Sequence, residues 1–317
     1  MSARRARAAK VALALAVSSA VTAIVSLAGC GFGEGKTSGG EATMTVSRDY
    51  GAERLVEATT VDPPLTDTVM RFLDREAEIE TRYGGGFVET INGISGASEA
   101  ERRTDWFFYV NGSESPVGAA DVRLAADVRV WWDHHDWTDV IRVPAVVGSW
   151  PAPFSTTPPG EPAELVCAAS EVSACDHVLG RIEEAGGEVD PVEAPAAEGG
   201  RPVVLVGAWD DLRENADARA LEGTPARSGV FARFRPAGDG WEIEPYDAAL
   251  EPGSALGAGA GLIAAVEGEP EQPVWVVTGT DDAGLSAAAE ALSGEALTDR
   301  FSVVIAAGEE PQALPQQ

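Results

Sequence analysis

Two continuous apolar runs, at residues 202–207 and 274–280, constrain the fold more than any other feature of the chain. A strand with one buried face alternates apolar and polar residues, whereas these runs are apolar at successive positions, as strands buried on both faces are. Helical patterns at 175–185 and 283–292 lie before the first run and after the second. This alternation of strands and helices predicts an α/β domain with a mainly parallel sheet over residues 163–310.

Residues 41–142 show a different pattern, which predicts a small antiparallel sheet plus one helix. The helix is predicted from Thr66 and Asp67 to about residue 78, and strands are predicted at 42–48, 87–91, 106–110 and 127–132. Asn111-Gly112, directly after the third of these strands, is the typical sequence of a hairpin turn. The chain as a whole is therefore predicted to be α+β, with this first domain followed by the α/β domain.

Three further segments complete the predicted organisation. Residues 30–40 are rich in Gly and Ser, which predicts a flexible tether. Residues 143–162 are rich in Pro, which predicts a semi-rigid connector between the two domains. Residues 311–317 are predicted to be a disordered tail.

The N-terminus has the layout of a secretory signal. A basic head precedes an apolar stretch at 11–27, and the run Leu27-Ala28-Gly29-Cys30 follows and resembles the bacterial lipobox. The resemblance implies that residues 1–29 are removed and that Cys30 carries a diacylglycerol thioether and a palmitate. It also implies that the membrane is a partner and that the protein lies on the outer face of the cell membrane. The alternative is an uncleaved anchor, for which the apolar run is near the lower length limit.

Composition narrows the classes of partner. The chain has 23 basic and 51 acidic residues, a net charge of −28, and residues 1–29 contribute only positive charge. A chain this acidic is not expected to bind nucleic acid or anionic lipid through a basic patch. Besides Cys30 it has two cysteines, Cys167 and Cys175, which predict a structural disulfide in an oxidising compartment. The redox-active alternative lacks Cys-x-x-Cys spacing.

Motifs for catalysis are weak. Gly35-Lys36-Thr37 resembles the end of a phosphate-binding loop, but Cys30 stands where the loop needs its first Gly. The turns at 207–211 and 279–282 follow the two apolar runs, where ligands bind in open α/β sheets, although their Asp and Thr residues also suit helix capping. The chain has no Gly-x-Ser-x-Gly motif. We therefore expect no enzyme and no catalytic residues.

The first domain resembles a known family. The residues that carry the resemblance are Phe87 to Ile94, the stretch Trp106-Phe107-Phe108-Tyr109-Val110-Asn111-Gly112, and Val128 to Trp132. They are similar to the transcobalamin-like C-terminal domain, a module of bacterial lipoproteins whose animal relatives form one wall of a corrinoid pocket. The resemblance implies a corrinoid as a ligand, with no other cofactor, and a vitamin importer as a partner. The helical barrel that forms the other wall in the animal carriers has no counterpart here.

Aromatic and polar residues cluster around the last strand of this domain. The sequence Trp131-Trp132-Asp133-His134-His135-Asp136-Trp137 offers imidazoles and carboxylates to a metal, but neighbouring strand residues face opposite ways, and no metal site is predicted. An aromatic binding platform and a hydrophobic wedge between the domains are both consistent with the cluster. The candidate ligand contacts are Trp106, Tyr109, Asn111, Trp131, Trp132, His134, His135 and Trp137.

These observations predict a membrane-anchored, cell-surface lipoprotein that acts as a non-catalytic binding module. The ligand would be a corrinoid such as cobalamin, or a similar small molecule, captured for an importer. The alternative is a structural or adhesive envelope protein that binds a protein or a glycan.

Overall fold

Two large sheets and two small ones organise the computed structural model, which describes residues 36–99, 102–158, 160–168, 172–196, 200–268 and 273–317. The strands are β1 Glu41–Arg48, β2 Glu53–Val61, β3 Ile79–Arg82, β4 Phe87–Ile91, β5 Ile94–Ser95, β6 Ala97–Ser98, β7 Arg103–Val110, β8 Ser113–Glu114, β9 Arg129–Asp136, β10 Ala163–Cys167, β11 Val189–Val192, β12 Val203–Ala208, β13 Ala232–Ala237, β14 Gly240–Pro245, β15 Gly261–Glu267, β16 Pro273–Gly279, β17 Ser302–Ile305 and β18 Gln312–Leu314. The helices are α1 Val69–Glu76, α2 Val172–Glu184, α3 Trp209–Leu212, α4 Pro225–Ser228, α5 Asp282–Ala291 and α6 Gly294–Leu297. This content of helices and sheets agrees with the α+β prediction.

The first sheet is mixed, whereas the sequence predicts an antiparallel one. Its order is β2-β1-β9-β7-β6, with β8 also paired to β7. The central pair, β1 and β9, is parallel, with Thr43 opposite Arg129 and Arg48 opposite His134. Parallel pairing needs a long crossover. The chain between β1 and β9 supplies it, because it contains α1 and the small sheet β3-β4-β5.

Helix α1 is shorter than predicted. Thr68 is its N-cap and accepts a hydrogen bond from Arg71 N at 3.3 Å, so the helix begins at Val69 rather than at Thr66 or Asp67. Its buried side chains are Val69, Phe72 and Leu73. They pack with Ile91, Trp106 and Trp132 in a cluster that we call the outer core.

The second sheet has the order β11-β10-β12-β16-β15-β17-β18. The strands β12 and β16, predicted from the two apolar runs, lie next to each other in parallel, and every residue of both is buried. The sheet is parallel from β11 to β16 and antiparallel from β16 to β18, so it is not mainly parallel. β15 ends at Glu267 and β16 begins at Pro273, which leaves too few residues between them for a parallel crossover.

Both faces of the second sheet are covered. One face packs with Trp150, Phe154 and the apolar sides of α2 and α5 in a cluster that we call the helical core. The other face joins residues of the first sheet in the central core, which includes Tyr109, Trp131, Phe231, Leu262 and Phe301. Ser38–Gln317 form one unit that contains both sheets, and the domain boundary at 143–162 stays a prediction.

The C-terminus differs from the predicted tail at 311–317. Gln312–Leu314 form the edge strand β18 and pair with β17, and the Leu314 side chain is buried. A three-residue strand is too short to show a period-two pattern in the sequence. Within the described ranges, none of the helices has the length and apolar character needed to cross a membrane.

Candidate functional site

Strand β9 turns alternate side chains to opposite faces of the first sheet. Trp132 lies in the outer core, where it faces Phe108 of β7 with ring centroids 4.7 Å apart. Trp131 lies in the central core and approaches Tyr109, with centroids 5.7 Å apart. The predicted contact residues therefore do not form one surface, because the strand divides them between two cores.

Most of these aromatic side chains are buried, so they do not form the exposed platform that was one of the two interpretations of the cluster. Trp106, Tyr109, Trp131, Trp132 and His135 are all 5% exposed or less. Three candidates, Asn111, His134 and Trp137, are intermediate in exposure. The reason is that both faces of β9 are covered. Helix α1 and the small sheet cover one face, and the second sheet covers the other.

A polar cluster on the central-core face surrounds the buried carboxylate of Asp133. Its Oδ1 accepts a hydrogen bond from Tyr50 N at 3.1 Å and lies 2.9 Å from Nδ1 of His135. Its Oδ2 accepts hydrogen bonds from Ser47 Oγ at 2.6 Å and from Gly51 N at 2.8 Å. The cluster satisfies a buried carboxyl group with several hydrogen bonds, which is the usual structural solution for such a group.

The His135 ring is held between two aromatic rings. Its centroid is 4.7 Å from that of Tyr50 and 4.5 Å from that of Phe107, and both pairs are stacked. Neither Ser47 nor Tyr50 was among the candidates. The Asp-x-His spacing on a strand could have indicated that Asp133 and His135 share a face, since side chains two apart do so.

The two adjacent histidines cannot serve one metal ion. Strand β9 continues to Asp136, so His134 and His135 face opposite ways. His134 packs on Trp106 with centroids 5.1 Å apart, its Nε2 lies 3.3 Å from Ser95 O, and burial lowers its pKa. In the described part of the chain no group of three or more potential metal ligands occurs.

The remaining candidates have structural contacts. Asn111 shapes the predicted hairpin turn, with a φ of 52°, and its Oδ1 accepts a hydrogen bond from Arg129 N at 2.9 Å. It also lines a cavity of about 360 Å³ together with Arg201. Trp137 lies beneath the Arg103 guanidinium, whose Cζ is 4.2 Å from the ring centroid. These contacts give both residues a structural role.

A cavity of about 270 Å³ opens on the outer-core side of the first sheet. Its aromatic and apolar walls come from Phe87, Trp106, Phe108, Val117 and Trp132, and we call it the aromatic groove. The tryptophans are buried at its floor, whereas Phe87 is 38% and Val117 51% exposed. Apolar side chains that are exposed beside a cavity with aromatic walls are typical of a ligand site.

The groove extends towards an exposed hairpin tip. Tyr83 is 87% exposed, and its ring centroid is 6.3 Å from that of Phe87 in an edge-on arrangement. Tyr83 has a φ of 52° and is followed by three glycines, which form the tight connection between β3 and β4. Of the predicted contacts, only Trp106 and Trp132 line the groove. Phe87 and Val117 were missed, although an aromatic directly after a glycine triplet is a readable signal.

Two carboxylates lie at the groove. Burial raises the pKa of Asp105, although the hydrogen bond that its Oδ1 accepts from Trp106 N opposes the shift. Burial also raises the pKa of Glu114, and the attraction of Arg142 opposes it, with Nε 3.0 Å from Oε2. The groove thus combines aromatic walls with two carboxyl groups whose pKa is raised by burial.

The strand-to-helix turns of the second sheet have structural roles. Asp281 caps α5 by accepting a hydrogen bond from Gly284 N at 2.9 Å, and it also accepts one from Gly259 N at 2.9 Å. Asp210 accepts a hydrogen bond from Trp241 Nε1 at 2.6 Å. These contacts agree with the capping interpretation of the 279–282 turn.

The cysteines divide as follows. Cys167 at the end of β10 and Cys175 in α2 form the predicted disulfide. Cys30 and the signal at 1–29 lie outside the described residues, so lipidation stays a prediction.

Comparison with known proteins finds a similarity over part of this site. No curated protein matches the chain. Residues 66–136 match the family model of a domain of unknown function, DUF4430, and this segment contains α1, β7, β9 and every wall residue of the aromatic groove.

Proposed function

We propose that the chain is a non-catalytic binding module whose aromatic groove takes a small, largely apolar ligand. The observation that carries the proposal is the groove itself, with buried Trp106 and Trp132 at its floor and exposed Phe87 and Val117 at its rim. An exposed apolar rim costs solvation in the free protein, and a ligand that covers it removes that cost. No catalytic group is needed for this role.

The proposed module works at the cell surface. The lipobox-like run ending in Cys30 supports a lipid anchor on the outer face of the membrane, with 30–40 as the tether. The Cys167–Cys175 disulfide is consistent with an oxidising location. A surface module that captures a small molecule would deliver it to a membrane importer.

A corrinoid is the ligand that the family resemblance supports. The cavity of about 270 Å³ is slightly smaller than the usual small-molecule site of about 300–1,000 Å³, so it would hold only part of such a macrocycle. The remainder would lie across Phe87 and Val117 at the rim. We therefore propose capture of one edge of a corrinoid, or of a smaller aromatic molecule enclosed completely.

The test is a titration of the full chain in detergent with cyanocobalamin and, separately, with naphthalene, followed by tryptophan fluorescence. The groove variant is Phe87→Ala with Val117→Ala. The matched control is Val61→Ala with Val172→Ala, because these residues are 64% and 66% exposed and do not line the groove. Saturable quenching that the groove variant loses and the control keeps supports the proposal. Equal binding by both variants, or none by the wild type, refutes it.

A second candidate function rests on the exposed Tyr83 tip. A solvent-exposed aromatic beside a groove is also typical of contacts with a protein or glycan. In that case the groove would bind part of an envelope polymer, and the protein would be structural or adhesive. Retention of the chain on purified cell wall, lost in Tyr83→Ala and unaffected by cyanocobalamin, would favour this alternative.

A further inference from the structure

The start of β1 is held beside the turn that follows β2. Ser38 N donates a hydrogen bond to Pro63 O at 3.0 Å, and Ser38 Oγ donates to the same oxygen at 3.2 Å. Cys30 lies eight residues before Ser38 in the sequence, and eight residues span at most about 29 Å when fully extended. A lipid on Cys30 would therefore keep this turn close to the membrane in any conformation of the intervening chain.

Exposed apolar side chains cluster at the same turn. Val61, the last residue of β2, is 64% exposed, and Leu65 is 51% exposed. Pro64 lies between them in the sequence and is also exposed. Single exposed apolar residues are common on protein surfaces, whereas neighbouring ones indicate an interaction surface, because each costs solvation. These three residues do not line the aromatic groove.

Two arginine side chains meet beside Leu65. Arg71 Nη1 and Arg123 Nη1 both donate to Thr66 O, at 3.1 Å and 3.0 Å. Both arginines are exposed, and within the described ranges neither forms an ion pair. A guanidinium has five N–H groups, and Thr66 O takes one from each arginine. The remaining N–H groups suit the oxygens of a phosphate.

The carboxylates around the turn limit this attraction. Asp67 is already paired with Arg75, with Nη2 2.7 Å from Oδ2. Asp62 and Glu41 are exposed, and Glu41 lies opposite Val61 in the β1–β2 pair, so both oppose an anionic partner. An anionic surface would therefore be bound by the arginines together with the apolar side chains, rather than by charge alone.

Resting on the lipid anchor of the proposed function, we infer that the protein lies on the phospholipid bilayer with this turn. We call it the tether-root surface and define it by Val61, Pro64, Leu65, Arg71 and Arg123. Its apolar side chains enter the boundary between head groups and acyl chains, and its two arginines bind lipid phosphates. This contact departs from the expectation drawn from net charge, because an average over the chain does not show where unpaired arginines meet. It fixes one orientation of a protein that the anchor alone would leave free to turn.

A fluorescent label at the surface tests the contact. In the lipidated protein, Cys30 and the Cys167–Cys175 disulfide use all three cysteines, so Leu65→Cys supplies a free thiol for an NBD label. The matched control is Ala52→Cys, which is exposed and lies before β2, a nine-residue strand of about 30 Å that ends at Val61.

Each labelled full chain is reconstituted into vesicles of phosphatidylcholine and phosphatidylglycerol that contain spin-labelled lipid. The label at position 65 should be quenched and its emission shifted to the blue, because it lies in the bilayer. The label at position 52 should show neither change. Thermal unfolding first shows that each labelled chain is folded.

Charge variants in the Leu65→Cys background test the arginines. Arg71→Gln with Arg123→Gln should lower the ratio of quenched to unquenched label about fivefold for each arginine removed. Arg219→Gln with Arg227→Gln is the control, because it removes two exposed positive charges in the second half of the chain and should leave the ratio unchanged.

A gain of contact is expected from Asp62→Asn, which removes an opposing carboxylate. Asp62 has a φ of 49°, a conformation that Asn also tolerates, so the turn should keep its shape. The quenching of the label at position 65 should increase, and the increase should shrink at high salt. A loss of quenching would contradict the electrostatic part of the inference.

Flotation of the vesicles separates the inference from the proposed function. If the chain floats but the labels at positions 65 and 52 are quenched equally, or not at all, the inference is wrong and the anchor stands. If quenching at position 65 is the same with and without Arg71 and Arg123, the arginines do not bind the bilayer and the inference is also wrong. If the chain does not float, the anchor and the inference both fail. Binding to the aromatic groove is measured in detergent, so it is decided independently.

Discussion

Arg54 and Asp299 form an ion pair that joins the two halves of the protein, with Nε of Arg54 2.7 Å from Oδ2 of Asp299. Arg54 belongs to β2 of the first sheet, and Asp299 precedes β17 of the second. Burial raises the pKa of Asp299, and the Arg54 guanidinium opposes that shift. The two sheets are therefore linked by a charged contact as well as by the central core.

Arg54→Leu should destabilise the protein by about 1–3 kcal/mol at neutral pH, because it leaves the Asp299 carboxylate buried without its partner. A carboxyl group whose folded-state pKa is raised favours the folded state at low pH, and that contribution is lost as the pH rises through the folded pKa. The cost of Arg54→Leu should accordingly be smaller at about pH 4 than at pH 7. Urea unfolding at both pH values measures it. Adding Asp299→Asn should restore part of the loss at pH 7, and a double variant no more stable than the single one would contradict the account.

The contribution of Asp67 to the free energy of unfolding should depend on pH in the opposite direction to that of Asp299. Burial alone would raise its pKa, but hydrogen bonds from the Arg75 guanidinium and from Thr68 N hold the pKa below its usual range. Its contribution to stability is present above the unfolded pKa and is lost as the pH falls through the folded value. Asp67→Asn should cost about 1–3 kcal/mol at pH 7, and the difference from wild type should narrow below about pH 4 in urea unfolding. A difference that is the same at both pH values would exclude the ionised carboxylate as its cause.

Trp131→Phe and Trp132→Phe are a matched pair on adjacent positions of β9. Trp131 Nε1 donates to Ser47 Oγ at 2.7 Å, whereas Trp132 Nε1 has no partner in the described structure. Both substitutions remove a similar amount of buried ring. Trp131→Phe should therefore be the more destabilising by about 1 kcal/mol in urea unfolding. Equal costs would show that the Ser47 hydrogen bond contributes nothing net.

The disulfide should contribute about 2–3 kcal/mol, as expected for the short loop that it closes. Replacing both Cys167 and Cys175 by Ser should lower the free energy of unfolding by that amount. Reductant should lower the stability of the wild type to the level of the variant and leave the variant unchanged. An effect of reductant on the variant would point to a different origin.

Cys30→Ser should release the protein from the membrane if Cys30 is the lipid site. Expressed in a bacterial host, the wild type should partition into the membrane fraction and incorporate an alkyne analogue of palmitate, and the variant should lose the label. A variant that remains labelled would place the acyl chain elsewhere.

The buried strands of the second sheet were the most predictable part of the fold. Their apolar runs reflect burial on both faces, and that burial is a local property of each strand. Strand β2 was not predicted, although it is one of the longest. It lies at a sheet edge, and its residues are exposed or half-buried, so the apolar alternation that marks a strand is absent.

The pairing of distant strands could not be predicted from the sequence, for a different reason. The parallel pair β1 and β9 is a long-range contact, and nothing in either segment specifies the direction of its partner. The burial of the candidate site residues could not be predicted for the same reason. The aromatic residues of β7 and β9 were recognised, but their burial depends on elements far along the chain, such as the segment around Phe301 that packs on Trp131.

Strand β9 has a consequence for how this domain can diversify. One of its faces lies in the outer core beside the groove, and the other packs on the second half of the chain. If the groove binds the proposed ligand, substitutions at even-numbered positions such as 132 would change the binding site, whereas substitutions at odd-numbered positions such as 131 would change the packing between the two halves of the chain. One side of a single strand could then be varied while the other side preserves the assembly of the two halves.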